Sequence, residues 1–308
     1  MSESLETLWS SFELELRAAG RSLKTLETYH HAVRGFSQWL IDQGRDPVDD
    51  ELTRDNVRQW LVHLRETRSQ NTVATRHAGL SRFCKWRVRE GVAETDPMQG
   101  LPIPEWFEPP VPVLTDDQLS ALVKTCATKA SPPGRYDPQV FRHRRDEAAI
   151  RLLADAGPRV AEMCSIQLDD LDLTGQAVGV MGKGQRPRML YLSGFRTVQS
   201  LDRYLRERGK HPLHHLPDLF LGLRGPLTPG GVRQMLHARG ELIGIADLHP
   251  HMLRHTKAHD HQMAGGNVLN LQRQMGWTSD RMVKRYGASA ADARAREEAK
   301  RLQRGDRF

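Results

Sequence analysis

Five prolines fall between Leu101 and Val113, in the run Leu-Pro-Ile-Pro-Glu-Trp-Phe-Glu-Pro-Pro-Val-Pro-Val. Proline fixes φ and has no amide hydrogen to donate, so neither a helix interior nor a central strand runs through such a stretch. The 308-residue chain is therefore expected to form two bodies, residues 1–102 and 114–308, joined by an extended linker over 103–113. Each is long enough to bury a core. Charge divides at the same place. Residues 1–110 carry a net −3 and residues 111–308 a net +10. Inside the acidic first part, the stretch from Arg54 to Arg89 holds nine basic residues against two acidic ones.

The first body reads as helical. Leu5, Leu8, Phe12 and Leu16 recur at three- and four-residue spacing, as do Leu26, Tyr29, Val33, Phe36 and Leu40, and again Val57, Trp60, Leu61 and Leu64. Each set is one face of a helix. A fourth helix is expected from about Thr72 to Glu90, closed by Gly91. Its polar positions include Arg76, Arg82, Lys85 and Arg89, candidates for one basic side of a bundle. In the second body, Thr115-Asp-Asp-Gln118 is a capping box. An amphipathic helix is expected over Arg142–Asp155, and further helices over Phe195–Gly209, Gly230–Gly240, Pro250–Met263, Val268–Met275 and Arg281–Tyr286. Val178–Met181 and Arg188–Leu192 read as two strands, with Gly182-Lys-Gly-Gln185 as the hairpin turn between them. The fold class is thus mainly α, with a small antiparallel hairpin or sheet.

Several classes are excluded. A mean hydropathy of −0.58 and the lack of a long apolar run argue against a membrane span. The opening Met-Ser-Glu-Ser-Leu-Glu is acidic and polar, unlike a secretory or transit signal. Cys84, Cys126 and Cys164 are scattered, with no CxxC pair, which fits buried thiols in a reducing, cytoplasmic compartment. The net charge of +7 permits nucleic-acid binding without demanding it.

Chemistry-bearing residues stand in order along the second body. In Ala156-Gly-Pro-Arg-Val-Ala-Glu162, Arg159 is expected in the first turn of a helix, where free amides and a guanidinium make an anion site. Glu162 lies one turn on and is placed to orient a neighbouring donor, His251 among the candidates. Lys183 sits between Gly182 and Gly184 on the hairpin. In His249-Pro-His-Met-Leu-Arg-His255, His251 and Arg254 lie three apart, able to reach one phosphate. A competing pattern is metal binding, since His251, His255 and His259 follow i, i+4, i+8 spacing. The glutamate of HExxH is absent, however, and Arg254 would repel a cation. Met275-Gly-Trp277 and Lys284-Arg-Tyr286-Gly complete the set.

Together these motifs resemble the tyrosine recombinase, or phage integrase, family, over nearly the whole chain. AGPRVAEM is similar to the family's first arginine box, with Pro158 in place of the usual Leu. LHPHMLRHTKAH is similar to its His-x-x-Arg box. MGWTSDRMVKRYG is similar to its tyrosine box, with Trp277 where many members have His. The helical first body resembles the SAM-like core-binding domain. No segment long enough for an arm-binding domain precedes the first helix, so none is expected.

The resemblance implies site-specific DNA recombination, for integration, excision or resolution, by transesterification without metal or other cofactor. Tyr286 would be the nucleophile, giving a 3′-phosphotyrosine and a free 5′-hydroxyl. Arg159 and Arg254 would clamp the non-bridging oxygens. His251 would donate a hydrogen bond and help take the tyrosine proton, and Lys183 would protonate the leaving oxygen. Trp277, a donor only, would position. Double-stranded DNA would be the partner and a homotetramer the assembly on synapsed DNA. The free protein would be a monomer or weak oligomer, nucleoid-associated when bound, with an accessory directionality factor left open. The tail 288–308 would dock on a neighbouring protomer. Alternatives are relaxation by a type IB topoisomerase-like enzyme, or a non-catalytic DNA-binding relative.

Overall fold

Four helices fill the first part of the chain: α1 (Leu5–Ala18), α2 (Leu23–Asp42), α3 (Arg54–Thr67) and α4 (Gln70–Arg89). The computed structural model describes residues 2–102, 112–132, 134–182, 186–277 and 294–303. The chain divides into two compact units, Met1–Pro109 and Pro110–Phe308. In the first unit α1 to α4 each open on a hydroxyl N-cap. The side chains of Ser4, Ser22, Thr53 and Ser69 accept from the amides of Thr7, Thr25, Asn56 and Thr72, each satisfying one orphan donor of the first turn. Gly91 follows α4 with φ +71°, the left-handed C′ position foreseen for it.

The apolar stripes of these helices meet in one core, in which Leu5, Phe36, Leu40, Val57, Leu80 and Phe83 are wholly buried. Helices α2 and α4 cross at Gly79, where a Cβ would lie 2.8 Å from the Cβ of Ala32. Glycine costs about 1 kcal/mol against alanine inside a helix. Here it allows backbone-to-backbone approach that no side chain would permit.

The second unit contains α5 (Asp116–Lys124), α6 (Pro138–Ala156), α7 (Val160–Cys164), α8 (Phe195–Arg208), α9 (Pro229–Glu241), α10 (Pro250–Met263) and α11 (Val268–Met275), with a last helical segment over 294–302. The Thr115–Gln118 capping box is present, reciprocal in both bonds. A small sheet joins β1 (Leu171–Asp172), β2 (Ala177–Gly182) and β3 (Arg186–Tyr191), all antiparallel in the order β1-β2-β3. The β2–β3 ladder runs from Ala177 opposite Tyr191 to Gly182 opposite Arg186. Strand alternation turns Val178, Val180 and Leu190 into the core, while Met181, Met189 and Tyr191 face outward.

Helix α6 departs from expectation. It is longer at both ends than the segment 142–155, starting on an Asp137 cap with Pro138 at N1. It is also not amphipathic, because its residues from Arg145 to Leu153 are buried nearly all round. The charged positions that read as a solvated face are instead buried in ion pairs, described below. A helix buried on every side has no polar face to show.

Cys84 and Cys126 are buried and Cys164 half-buried, all as free thiols. Burial pushes Cys84 up to about 12 and the other two up to about 11. No helix among the described residues is long and apolar enough to cross a membrane. The hairpin turn with Lys183, the linker from 103 to 111, and the expected helix Arg281–Tyr286 with its tyrosine lie outside the described residues.

Candidate active site

The site is built where α6 ends. Gly157 caps that helix in the left-handed region, φ +62°, and the chain turns at once into the short α7. Arg159 is the N-cap of α7 rather than a residue of its first turn. Its backbone amide donates to Glu162 Oε2 at 2.7 Å and its guanidinium Nη1 to Glu162 Oε1 at 2.7 Å. The glutamate at N3 thereby fixes both the main chain and the side chain of Arg159.

Glu162 has a second partner that the sequence reading missed. Arg188 of β3 donates Nη1 to Oε1 at 2.7 Å and Nη2 to Oε2 at 2.9 Å, a two-pronged pair. Glu162 is only 5% exposed. Burial alone would raise its pKa. The Arg188 and Arg159 hydrogen bonds outweigh this and hold it down at about 2. Glu162 therefore acts on the two arginines. The expectation that it orients His251 is corrected: its hydrogen bonds among the described residues go to Arg159 and Arg188. A signal for Arg188 was in the sequence: it alternates with Leu190 and Leu192, so it shares the inward face of its strand.

The far wall is the C-terminus of α11, where the last carbonyls of a helix lack partners. Three consecutive ones are taken by three arginines from three elements. Arg188 Nε donates to Gln274 O at 3.1 Å, Arg254 Nη2 donates to Met275 O, and Arg159 Nη2 donates to Gly276 O at 3.0 Å. Cations at this end also complement the helix dipole. Arg254, 2% exposed on α10, also donates Nη1 to Gly157 O, so it joins the end of α6 to the end of α11. Gly276 itself has φ +59°, and a Cβ there would come within 3.0 Å of Arg188 Nη1.

His251 lies exposed in the first turn of α10, after the His249 cap and Pro250. Partial loss of water, then the charges of His249, Arg254, Arg233 and Arg159, push its pKa below the usual 6.5. Its ring is thus neutral at pH 7, and three arginines stand within electrostatic reach of it. Arg233, exposed on α9, is a second member that the motifs did not reveal. Trp277 packs in a small buried cluster with Ala258, Leu271 and Met275. The His251 and His255 rings are 6.4 Å apart, and no group of three or more His, Cys, Asp or Glu among the described residues is placed to hold a metal ion. The structure thus brings together Arg159, Glu162, His251, Arg254 and Trp277. Lys183 and Tyr286 fall outside the described residues.

The four basic candidates of α4 do not share one side. Arg82, Lys85 and Arg89 are exposed at three- and four-residue spacing, and Arg89 pairs with Glu15 and Glu90. Arg76 turns instead into a concavity of about 660 Å³ rimmed by His31, Arg34, His63 and Arg68, with Trp39 and Trp60 in its wall.

This fold and arrangement of arginines place the chain in a class. The Phage integrase family matches residues 112–293, and the Phage integrase, N-terminal SAM-like domain matches residues 10–91. The chain belongs to the phage integrase family: it is a site-specific tyrosine recombinase, of the enzymes that act through a covalent tyrosine intermediate. It is 30% identical over 265 residues to tyrosine recombinase XerC of Bacillus licheniformis, covering 82% of this chain and 81% of that protein. It is likewise 30% identical over 262 residues to tyrosine recombinase XerC of Mycobacterium bovis, covering 83% and 84%. In structure it is similar to the Tn1549 transposon integrase in complex with transposon right end DNA, with TM-score 0.73, 18% identity, and 98% and 99% of the two chains covered. The XerH site-specific recombinase bound to its difH substrate gives TM-score 0.67 at 17% identity, over 87% and 77%.

Proposed function

We propose that this chain cuts and rejoins duplex DNA at a specific site through a 3′-phosphotyrosine on Tyr286, with Arg159 and Arg254 holding the scissile phosphate. The observation that carries this reading is the convergence of Arg159 and Arg254 on adjacent carbonyls, Gly276 and Met275. A phosphodiester carries one negative charge, and its transition state concentrates more on the equatorial oxygens. Fixed guanidiniums meet that charge without reorganising. Arg159 is the one whose side chain remains 32% exposed, so it presents the cationic edge to a substrate.

The step balances simply. The Tyr286 phenol oxygen bonds to phosphorus, and the bond from phosphorus to the 5′ oxygen breaks. Neutral His251 accepts the phenolic proton, and Lys183 gives one to the departing oxygen. Trp277 positions through its buried packing. Religation reverses these transfers and needs no external energy source, since one ester replaces another.

DNA is the partner, and acting on it places the protein in the cytoplasm. The first unit would face it with Arg34, Arg68 and Arg76, which gather in one concavity beside Asp42, more than with Arg89, which Glu15 already neutralises. The tail from 288 onward would dock on a neighbouring protomer in a tetramer of four chains on two duplexes. The test uses a nicked duplex that traps the cleaved state, in EDTA. Wild type should become covalently attached to DNA. Tyr286→Phe should form none while binding DNA as before. Attachment by the Phe variant would show that another residue is the nucleophile.

A further inference from the structure

Arg188 is a strand residue that the catalytic motifs do not include, yet it binds the site at two places. Its two Nη atoms grip both oxygens of Glu162 and its Nε grips Gln274 O. Its side chain is 12% exposed, so its charge is directed inward and not at a substrate. Through Glu162 it reaches Arg159, and through Gln274 it reaches the carbonyl run that Arg159 and Arg254 also bind.

We propose that Arg188 is a positioning residue for the cleavage reaction, keeping Glu162 from neutralising Arg159 and locking the guanidinium of Arg159 to the end of α11. The charge argument is direct. Glu162 with Arg159 alone is a neutral pair, and a neutral pair attracts a phosphate weakly. With Arg188 added, one carboxylate is shared by two guanidiniums and the cluster is net positive. The outer member, Arg159, faces solvent at 32% while Arg188 is turned in at 12%. The excess charge is therefore expressed where a phosphate can approach. The geometric argument is separate. Both oxygens of Glu162 are fixed by the two Nη atoms, so the carboxylate cannot rotate away from the Arg159 amide and guanidinium. A lysine at this position would keep the charge but lose the fork and the bond to Gln274 O.

This inference rests on the reading of Arg159 as the phosphate clamp and Tyr286 as the nucleophile. The test measures single-turnover covalent attachment to a nicked duplex at saturating protein, together with melting temperature and DNA affinity. Arg188→Gln should slow attachment on the order of 10–100-fold, as loss of the group that orients a primary ligand does. DNA affinity should hold. Arg188→Lys should fall between Gln and wild type. Glu162→Gln/Arg188→Gln should be no slower than the slower single variant, because the two act as one unit. A duplex with a neutral methylphosphonate at the scissile position removes the charge that Arg159 must meet. On it the Arg188→Gln defect should shrink to within about threefold, an outcome that mere loss of structure would not give.

Equal defects on the charged and neutral substrates would overturn the proposal, and so would wild-type rates for Arg188→Gln on the phosphodiester. Should Arg188→Gln fail to fold, the same comparison of substrates is made with Arg188→Lys. If wild type itself gives no Tyr286 adduct, the underlying reading fails and takes this one with it. A normal wild-type adduct with an undisturbed Arg188→Gln rate overturns the Arg188 role alone.

Discussion

Two ionic clusters of the second unit share one plan, a carboxylate between two arginines, and have opposite fates. At Glu162 the arginines are Arg159 and Arg188. At Asp146 they are Arg145, bound through Nε and Nη2 to Oδ1, and Arg239, bound through Nε and Nη2 to Oδ2. All three members of the Asp146 cluster are under a tenth exposed. The remaining donors of Arg239 go to the carbonyl and hydroxyl of Thr125, and Arg145 reaches Leu221 O. That cluster turns its whole charge inward and ties α6, α9 and the end of α5 together. The Glu162 cluster closes one side against α11 and leaves Arg159 open. Chemistry and stoichiometry are the same, so solvent access decides which is a strut and which is a site.

The widest contrast should come from cutting the middle of the buried cluster. Asp146→Ala strands two buried guanidiniums, and a loss of about 3–5 kcal/mol in urea unfolding is expected. A loss under about 1 kcal/mol, the surface-pair range, would show that water reaches the cluster and dissolve the contrast. Arg159→Ala should do the reverse. Covalent attachment should fall about 10²–10³-fold, the range for deleting one preorganised donor, while unfolding shifts little. A stability loss as large as that of Asp146→Ala would make both clusters struts.

Acid should separate them further. Glu162 is held at about 2 against an ordinary 4.5, so its folded form favours the ionised state. The stability this contributes is present above pH 4.5 and is lost as pH falls toward 2. The size is on the order of 3 kcal/mol. Melting curves from pH 5 to pH 2.5 should show that loss in wild type and not in Glu162→Gln; identical slopes would contradict it. The smallest effect expected is at Gly276. Alanine at φ +59° costs about 1 kcal/mol, and its Cβ would press on Arg188. Gly276→Ala should therefore slow attachment more than it lowers the melting temperature, whereas Gly79→Ala, far along the chain in the first unit, should only destabilise.

How far the sequence reached follows from what periodicity can see. The end of α4 at Gly91 and the start of α5 at Thr115 are legible almost to the residue, because caps are local chemistry, whereas α4 starts from its Ser69 cap, ahead of the expected Thr72. The residues of the arginine and histidine boxes were legible from motif order. Arg188 was not named, since its importance lies in a carboxylate 26 positions away and a carbonyl 86 positions away. Helix α6 departs from its sequence pattern for a related reason. Arg145, Asp146 and Glu147 look like a wet face until their partners arrive from elsewhere in the fold. Composition groups Arg76 with Arg82, Lys85 and Arg89, although helical geometry sets it on another side.

The three thiols have a practical consequence for watching this enzyme work. With Cys126 and Cys164 pushed up to about 11 and Cys84 to about 12, each is a thiolate at neutral pH on the order of a hundred times less often than an ordinary cysteine, or rarer still. The natural chain is therefore a quiet background for maleimide chemistry. A cysteine introduced on an exposed face, at Arg82 or Leu242 for example, would take a fluorophore or spin label far ahead of the native three. Distances between the two units could then be followed during strand exchange without first rebuilding the core.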